Sequence, residues 1–111
     1  MDFQLSYTPD MENERWNVKL SGEIDIFNSA QLKTQLTELL AERNAHLYVD
    51  CKALEFIDST ALGALVGVLK TVKENGREMH LLNVRPNLFK LFRLTNLDDV
   101  FIFEEESADA K

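Results

Sequence analysis

The chain has 111 residues, 12 basic and 19 acidic side chains, a net charge of −7 and a pI near 4.7. That length holds one domain with one core, and a content of 45% hydrophobic and 28% charged residues is that of a globular domain. The acidic balance argues against electrostatic capture of nucleic acid or an anionic membrane, leaving a protein partner or a small ligand.

The single cysteine, Cys51, has no partner for an internal disulfide, and Met1 to Asp10 shows neither a basic start nor an apolar signal core. A reducing, cytoplasmic setting is expected. No apolar run approaches the ~18 residues that span a bilayer. CxxC pairs, HExxH and Walker-type glycine runs are absent from the sequence, so no cofactor and no metal site is expected.

Phe3, Leu5 and Tyr7 alternate with polar residues, as do Trp16, Val18 and Leu20, with the polar stretch Pro9 to Glu14 between them. Period-two alternation on both sides of a turn predicts an antiparallel hairpin with one buried face. After Gly22 the spacing becomes helical: Leu32, Leu36, Leu39, Leu40 and Arg43 fall at intervals of three and four. Asn28 with Gln31 three residues later has the form of a capping box, and Asn44 suits the stop. His46 to Cys51 is a short apolar run, predicting a buried strand.

A second helix is predicted from Ser59 to Asn75, with a stripe of Leu62, Leu65, Val66, Leu69 and Val72. Lys70, Lys73 and Arg77 suit its negative pole, and Gly76 suits its end. Met79 to Val84 predicts a further buried strand. Pro86 fits the first turn of a third helix carrying Leu88, Leu91 and Phe92, reaching about Leu94. Val100 to Phe103 reads as a last short strand, so residues 1–103 form the domain and 104–111 an acidic, mobile tail.

The order β-β-α-β-α-β-α-β, with a helix between successive strands, predicts an α/β fold on a mixed, mostly parallel sheet joined by right-handed crossovers. Loops leaving parallel strands toward helices gather at one edge of such a sheet. Three loops qualify: Glu23-Ile24-Asp25, Phe56-Ile57-Asp58-Ser59-Thr60 and Asn83-Val84-Arg85-Pro86. Asp25, Asp58 and Ser59 are therefore expected on one rim, with Arg85 nearby.

Asp58, Ser59 and Thr60 are common helix-capping residues, and capping alone explains them. A serine at a helix start is also well placed for modification, because that end of a helix favours negative charge. Gly63 and Gly67 lie on one flank of the second helix, where two readings stand: close packing against a neighbouring helix, or bare backbone that a partner approaches. Phe89 reads as core margin and Cys51 as a small buried hydrophobe. Arg85, Lys90 and Arg93 read as a solvated face, with contact to an acidic partner as the second reading. His46 and His80 have no acid or nucleophile placed beside them by sequence, so no catalytic residue is assigned.

Gly22-Glu23-Ile24-Asp25 before a helix, followed by Phe56-Ile57-Asp58-Ser59-Thr60-Ala61-Leu62-Gly63, resembles the two signature segments of the STAS domain of bacterial anti-sigma factor antagonists. The resemblance runs from Val18 to Phe103 and includes Leu88-Phe89-Lys90-Leu91-Phe92 and Leu97. It implies a partner switch. The unphosphorylated antagonist binds an anti-sigma factor that is also a serine kinase, which frees the sigma factor. Phosphorylation of the residue matched by Ser59 ends the binding, and a PP2C-type phosphatase restores it. The resemblance makes Asp25, Asp58, Thr60 and Gly63 kinase-recognition or partner-binding positions, and implies a monomer or weak dimer without enzymatic activity.

Two features depart from the family pattern. Ala61 stands where glycine usually follows the hydroxyl pair, and the short acidic tail replaces the fourth helix of many relatives. Two other readings remain: a scaffold subunit of a larger signalling assembly or regulator of a non-sigma target, and a ligand-binding or enzymatic domain using Asp25, Asp58 and Ser59. A serine nucleophile needs a base within hydrogen-bond reach, and the sequence places none.

Overall fold

The structure, a computed structural model, describes residues 2–105. Its elements are β1 Phe3–Asp10, β2 Arg15–Ile24, α1 Ser29–Glu42, β3 His46–Ile57, α2 Ser59–Glu74, β4 Met79–Leu82, α3 Pro86–Leu94 and β5 Ile102–Glu104. The strands form one sheet in the order β1-β2-β3-β4-β5. Among the described residues only the β1–β2 hairpin is antiparallel; β3, β4 and β5 each join parallel to the strand before. Each helix carries the chain back to the neighbouring position, as short crossovers require, and the predicted α/β architecture is the one observed.

Alternation along the strands splits the sheet into two unlike faces. Trp16, Val18 and Leu20 of β2, Leu47, Val49 and Cys51 of β3, and Met79 and Leu81 of β4 are buried in one cluster with Leu32, Leu36, Leu65, Val68, Leu69 and Phe92 of the helices. Burial raises the Cys51 thiol pKa to about 12, with the Asp50 charge adding to it, so the sulfur stays protonated. The opposite face carries a row that the sequence did not disclose. The Arg15 guanidinium lies 4.1 Å over the Tyr48 ring, and Tyr48 stacks on His80 at 4.0 Å. His80 Nδ1 is 2.6 Å from a Glu104 carboxylate oxygen and Nε2 is 3.1 Å from one of Glu78. The row crosses β2, β3, β4 and β5 and leaves His80 buried on the face without helices.

Several boundaries differ from the sequence reading, each for a local reason. β3 runs to Ile57, six residues past Cys51. Register shifts against β2 between Lys19 and Ser21 and between Gly22 and Glu23 insert extra residues into β3. Bulges of this kind destroy period two: beyond Cys51 the buried positions are Leu54 and Ile57, three apart, which does not read as a strand. Val68 replaces Val66 on the buried stripe of α2, and Val66 is only half-buried. Val84 and Val100 lie outside their strands, and α1 is capped by Arg43 rather than reaching Asn44. In the hairpin the β2 side is buried, but Tyr7 on the edge strand β1 is exposed. β5 extends to Glu104, one residue into the segment read as tail; residues 106–111 of that segment lie outside the described residues.

Candidate functional site

The parallel strands β2 and β3 end side by side, and their exits are tied together. The Asp58 amide donates to the Ile24 carbonyl (3.2 Å), and the Ile26 amide donates to Asp58 Oδ2 (3.0 Å). Asp58 Oδ1 caps α2 by accepting from the Ala61 amide (2.9 Å) and also from the Thr60 hydroxyl (2.5 Å). Slight desolvation raises the Asp58 pKa. The hydrogen bonds from the Thr60 hydroxyl and the Ala61, Ile26 and Thr60 amides outweigh it and hold the carboxyl below its ordinary value. Asp58 is thus both the N-cap of α2 and the clasp between two loops.

The loop from β2 into α1 is built differently from the predicted capping box. Asn28 makes no side-chain cap bond to α1. Its carboxamide points back, accepting from the Asp25 amide (2.8 Å) and donating to the Glu23 carbonyl (3.0 Å). The Asp25 carboxylate accepts from the Phe27 amide (2.9 Å). Polar side chains therefore fill the inside of this turn, with Asn28 and Ser29 buried, and the apolar pair is turned outward: Phe27 is 91% exposed and Ile26 63%. Gly22 upstream has φ of +91°, and a Cβ there would collide with the Asp2 carbonyl oxygen. The glycine is a backbone requirement of the turn.

Ser59 opens α2 beside this turn and is exposed. Its hydroxyl has no side-chain hydrogen bond among the described residues, whereas that of Thr60 is committed to Asp58. Gly63 lies one turn further along the same face, exposed, with nothing within 4 Å of where a Cβ would stand. Gly67 differs: a Cβ there would meet the Lys33 side chain of α1 at 2.9 Å. The two glycines thus divide the two readings, Gly67 packing against α1 and Gly63 leaving open backbone.

On the other side of Ser59 a groove of about 420 Å³ runs between α2 and α3, lined by Phe56, Ser59, Asn87, Lys90, Leu91 and Leu94 among others. Phe56 is 43% exposed and Leu94 70%. Arg85, expected near Ser59, instead donates to the Lys52 carbonyl (3.2 Å) and does not line this groove; Lys90 and Asn87 do. The exposed apolar side chains Ile26, Phe27, Phe56 and Leu94 were not identified in the sequence as site residues. The available signal was the pairing of Ile26 and Phe27 between Asp25 and Asn28, two residues whose side chains readily turn back onto their own loop.

No helix among the described residues is long and apolar enough to cross a membrane, and none of their His, Cys, Asp and Glu side chains cluster to hold a metal ion. His46 opens β3 and His80 lies at the start of β4, at the opposite end of the sheet from Ser59.

These features define a class: a small α/β domain with helices over one sheet face, whose developed surface is the rim where the parallel strands end. The family model of the STAS domain matches residues 11–110, and the chain belongs to that family. It is 31% identical to the anti-sigma-B factor antagonist of Staphylococcus aureus (strain NCTC 8325 / PS 47) over 101 residues, 91% of this chain and 94% of that protein. It is 37% identical to the anti-sigma-B factor antagonist of Bacillus subtilis (strain 168) over 90 residues, 81% of this chain and 82% of that one. The phosphorylated form of the Bacillus cell fate determinant SpoIIAA shares the fold, with a TM-score of 0.69 at 22% identity over 98% of this chain and 96% of that chain.

Proposed function

We propose that this protein is a cytoplasmic anti-sigma factor antagonist that works by partner switching. Its unphosphorylated form binds an anti-sigma factor serine kinase through the rim around Ser59. The kinase transfers the γ-phosphoryl group of ATP to Ser59 Oγ in place of the hydroxyl proton, ADP leaves, and binding ends. A PP2C-type phosphatase hydrolyses the ester and restores the binding form. The observation that carries this reading is the exposed, uncommitted hydroxyl of Ser59 beside a ring of exposed apolar side chains. The names of the two antagonist relatives support it.

The parts have distinct roles. Ile26, Phe27, Phe56 and Leu94 offer apolar anchors, and Gly63 lets a partner approach the α2 backbone. Asp58 fixes the α2 start, so that Ser59 is presented in one geometry, and Asp25 holds the turn that displays Phe27. Ser59 is the acceptor rather than Thr60, because the Thr60 hydroxyl already donates to Asp58.

The electrostatics support disruption on modification. A phosphate adds about −1.5 to −2 charge. At a desolvated interface, across ~5 Å at an effective dielectric of ~20, each unit pair with a carboxylate repels by ~3 kcal/mol, a repulsion that water relieves in the free protein. A helix N-terminus returns only ~0.3 to 1 kcal/mol at an exposed site. A net loss of about 2.7 kcal/mol weakens binding a hundredfold.

Incubation with the cognate kinase and ATP is expected to add one phosphate per chain, lost in Ser59→Ala. Ser59→Ala is expected to retain the kinase in a pull-down and Ser59→Asp to lose it. Equal retention of both variants would reject the switch.

A further inference from the structure

β3 lies between β2 and β4 in the sheet, so Ser59, which follows β3, has unlike neighbours on its two sides. On the β2 side stand the carboxylates of Asp25 and Asp58. Asp58 is pinned there, with Oδ2 on the Ile26 amide and Oδ1 on Thr60 and Ala61. On the β4 side lies the groove to α3, where the side chains of Ser59, Asn87 and Lys90 meet the same cavity. None of these three has a hydrogen-bond or ionic partner among the described residues. The rest of the lining is apolar, with Phe56, Ile57, Leu88, Leu91 and Leu94, except for Asp58, which borders the groove at its β2 edge.

An anion attached to Ser59 therefore has a pinned carboxylate beside it, at the Asp58 edge of the groove, and an ammonium group on the α3 wall, at Lys90. We propose that Lys90 is the internal counter-ion of phosphorylated Ser59. Lys90 draws the phosphate over the α2–α3 groove, with Asn87 as an additional donor. Modification then covers apolar surface that the unmodified rim offers to its partner, besides adding charge to it. The inference rests on Ser59 being the modified residue, and it assigns Lys90 a positioning role that nothing in the unmodified protein requires. Arg93, the other basic residue of α3, lies over the Phe89 ring at 6.0 Å and does not line the groove.

The phosphate reports its own surroundings. A second ionisation near pH 6 leaves the dianion, which a nearby cation favours and a nearby carboxylate disfavours. Asp58 and Lys90 are the charged residues that line the groove with Ser59, and Asp25 lies in the adjoining turn with its carboxylate on the Phe27 amide. A single cation ~6 Å away in water-like surroundings shifts such an ionisation by about half a pH unit. The helix N-terminus acts equally in all variants and cancels in the comparison.

The test is a phosphorus NMR titration, at low ionic strength, of the full chain with phosphoserine installed at position 59 during translation. Lys90→Gln is expected to raise the midpoint by about half a pH unit. Arg93→Gln, an equal charge change one turn away, is expected to raise it by about half as much or less. Equal shifts in the two variants, or none in either, would overturn the assignment. Because the phosphate is installed without a kinase, this result stands apart from the functional reading. Kinase labelling at another residue would remove that reading and leave the titration to decide on Lys90.

Discussion

Truncating Phe27 is expected to separate partner binding from folding. The ring is 91% exposed, so almost all of its burial energy is still available to a partner. Complete burial of a phenylalanine side chain stabilises by up to ~3 kcal/mol. Nine-tenths of that is about 2.7 kcal/mol, a hundredfold in affinity. The tenth already buried contributes only ~0.3 kcal/mol to the fold, which lowers the melting temperature of a domain this size by about 1–2 °C. The hydrogen bond from the Phe27 amide to Asp25 involves the backbone and survives the substitution. Phe27→Ala is therefore expected to melt within 2 °C or so of the parent while losing about two orders of magnitude in affinity for the kinase recovered by the Ser59→Ala bait, measured by titration calorimetry. Unchanged affinity in a folded variant would refute the anchor role. A fall in melting temperature of more than ~5 °C would show that the ring is packed in the free protein.

Gly63→Ala places a methyl group in open space on a helix whose backbone conformation accepts it, so it is expected to stabilise the fold by about 0.5–1 kcal/mol in urea unfolding. The same methyl group is expected to weaken kinase binding at least tenfold, consistent with partner approach at that position. Asp58→Ala removes the cap and the clasp to Ile26 and is expected to cost ~1–2 kcal/mol in the same assay. The folded-state pKa of Asp58 is lowered, so its stabilising contribution is present above the unfolded aspartate pKa and is lost as pH falls through the lower folded value. The Ile26 and Ala61 amide proton shifts should follow that acid titration together, and independent midpoints would break the shared-clasp account. His80→Ala removes the stacking partner of Tyr48 and the ring held between Glu78 and Glu104. It is expected to cost about 1–3 kcal/mol and to speed amide exchange in β5 before β3.

The element order and the parallel sheet were legible because the helices and central strands obey simple periods: Leu32, Leu36 and Leu39 on α1, and Leu47 and Val49 on β3, are core residues. The end of β3 was not, because its pairing with β2 is bulged there. Those bulges belong to the site. They let Phe56 face outward between the buried Leu54 and Ile57, and they bring Asp58 opposite the loop that follows Ile24. The row through Arg15, Tyr48, His80 and Glu104 was hidden for another reason. Its members are distant in sequence, and nothing in their own segments distinguishes a side chain buried on the open face from one in solvent.

The rim shows why patterning fails where function is expected. A pattern reading assigns polar residues outward and apolar residues inward, and across residues 25–28 the structure reverses both. The reversal holds because Asp25 and Asn28 satisfy the turn's amides and a carbonyl from inside, so little buried hydrogen-bonding capacity is left open. With those groups met, no water-exposed polar side chain is needed at Ile26 and Phe27, and the two apolar residues can be held in solvent by a turn that does not depend on their burial. Asp58 locks the arrangement to α2 through the Ile26 amide, which couples the display of Phe27 to the presentation of Ser59. An apolar surface of this kind gains stability only from a partner, and a charge introduced at Ser59 lies at its edge, where it opposes that gain without disturbing the core beneath.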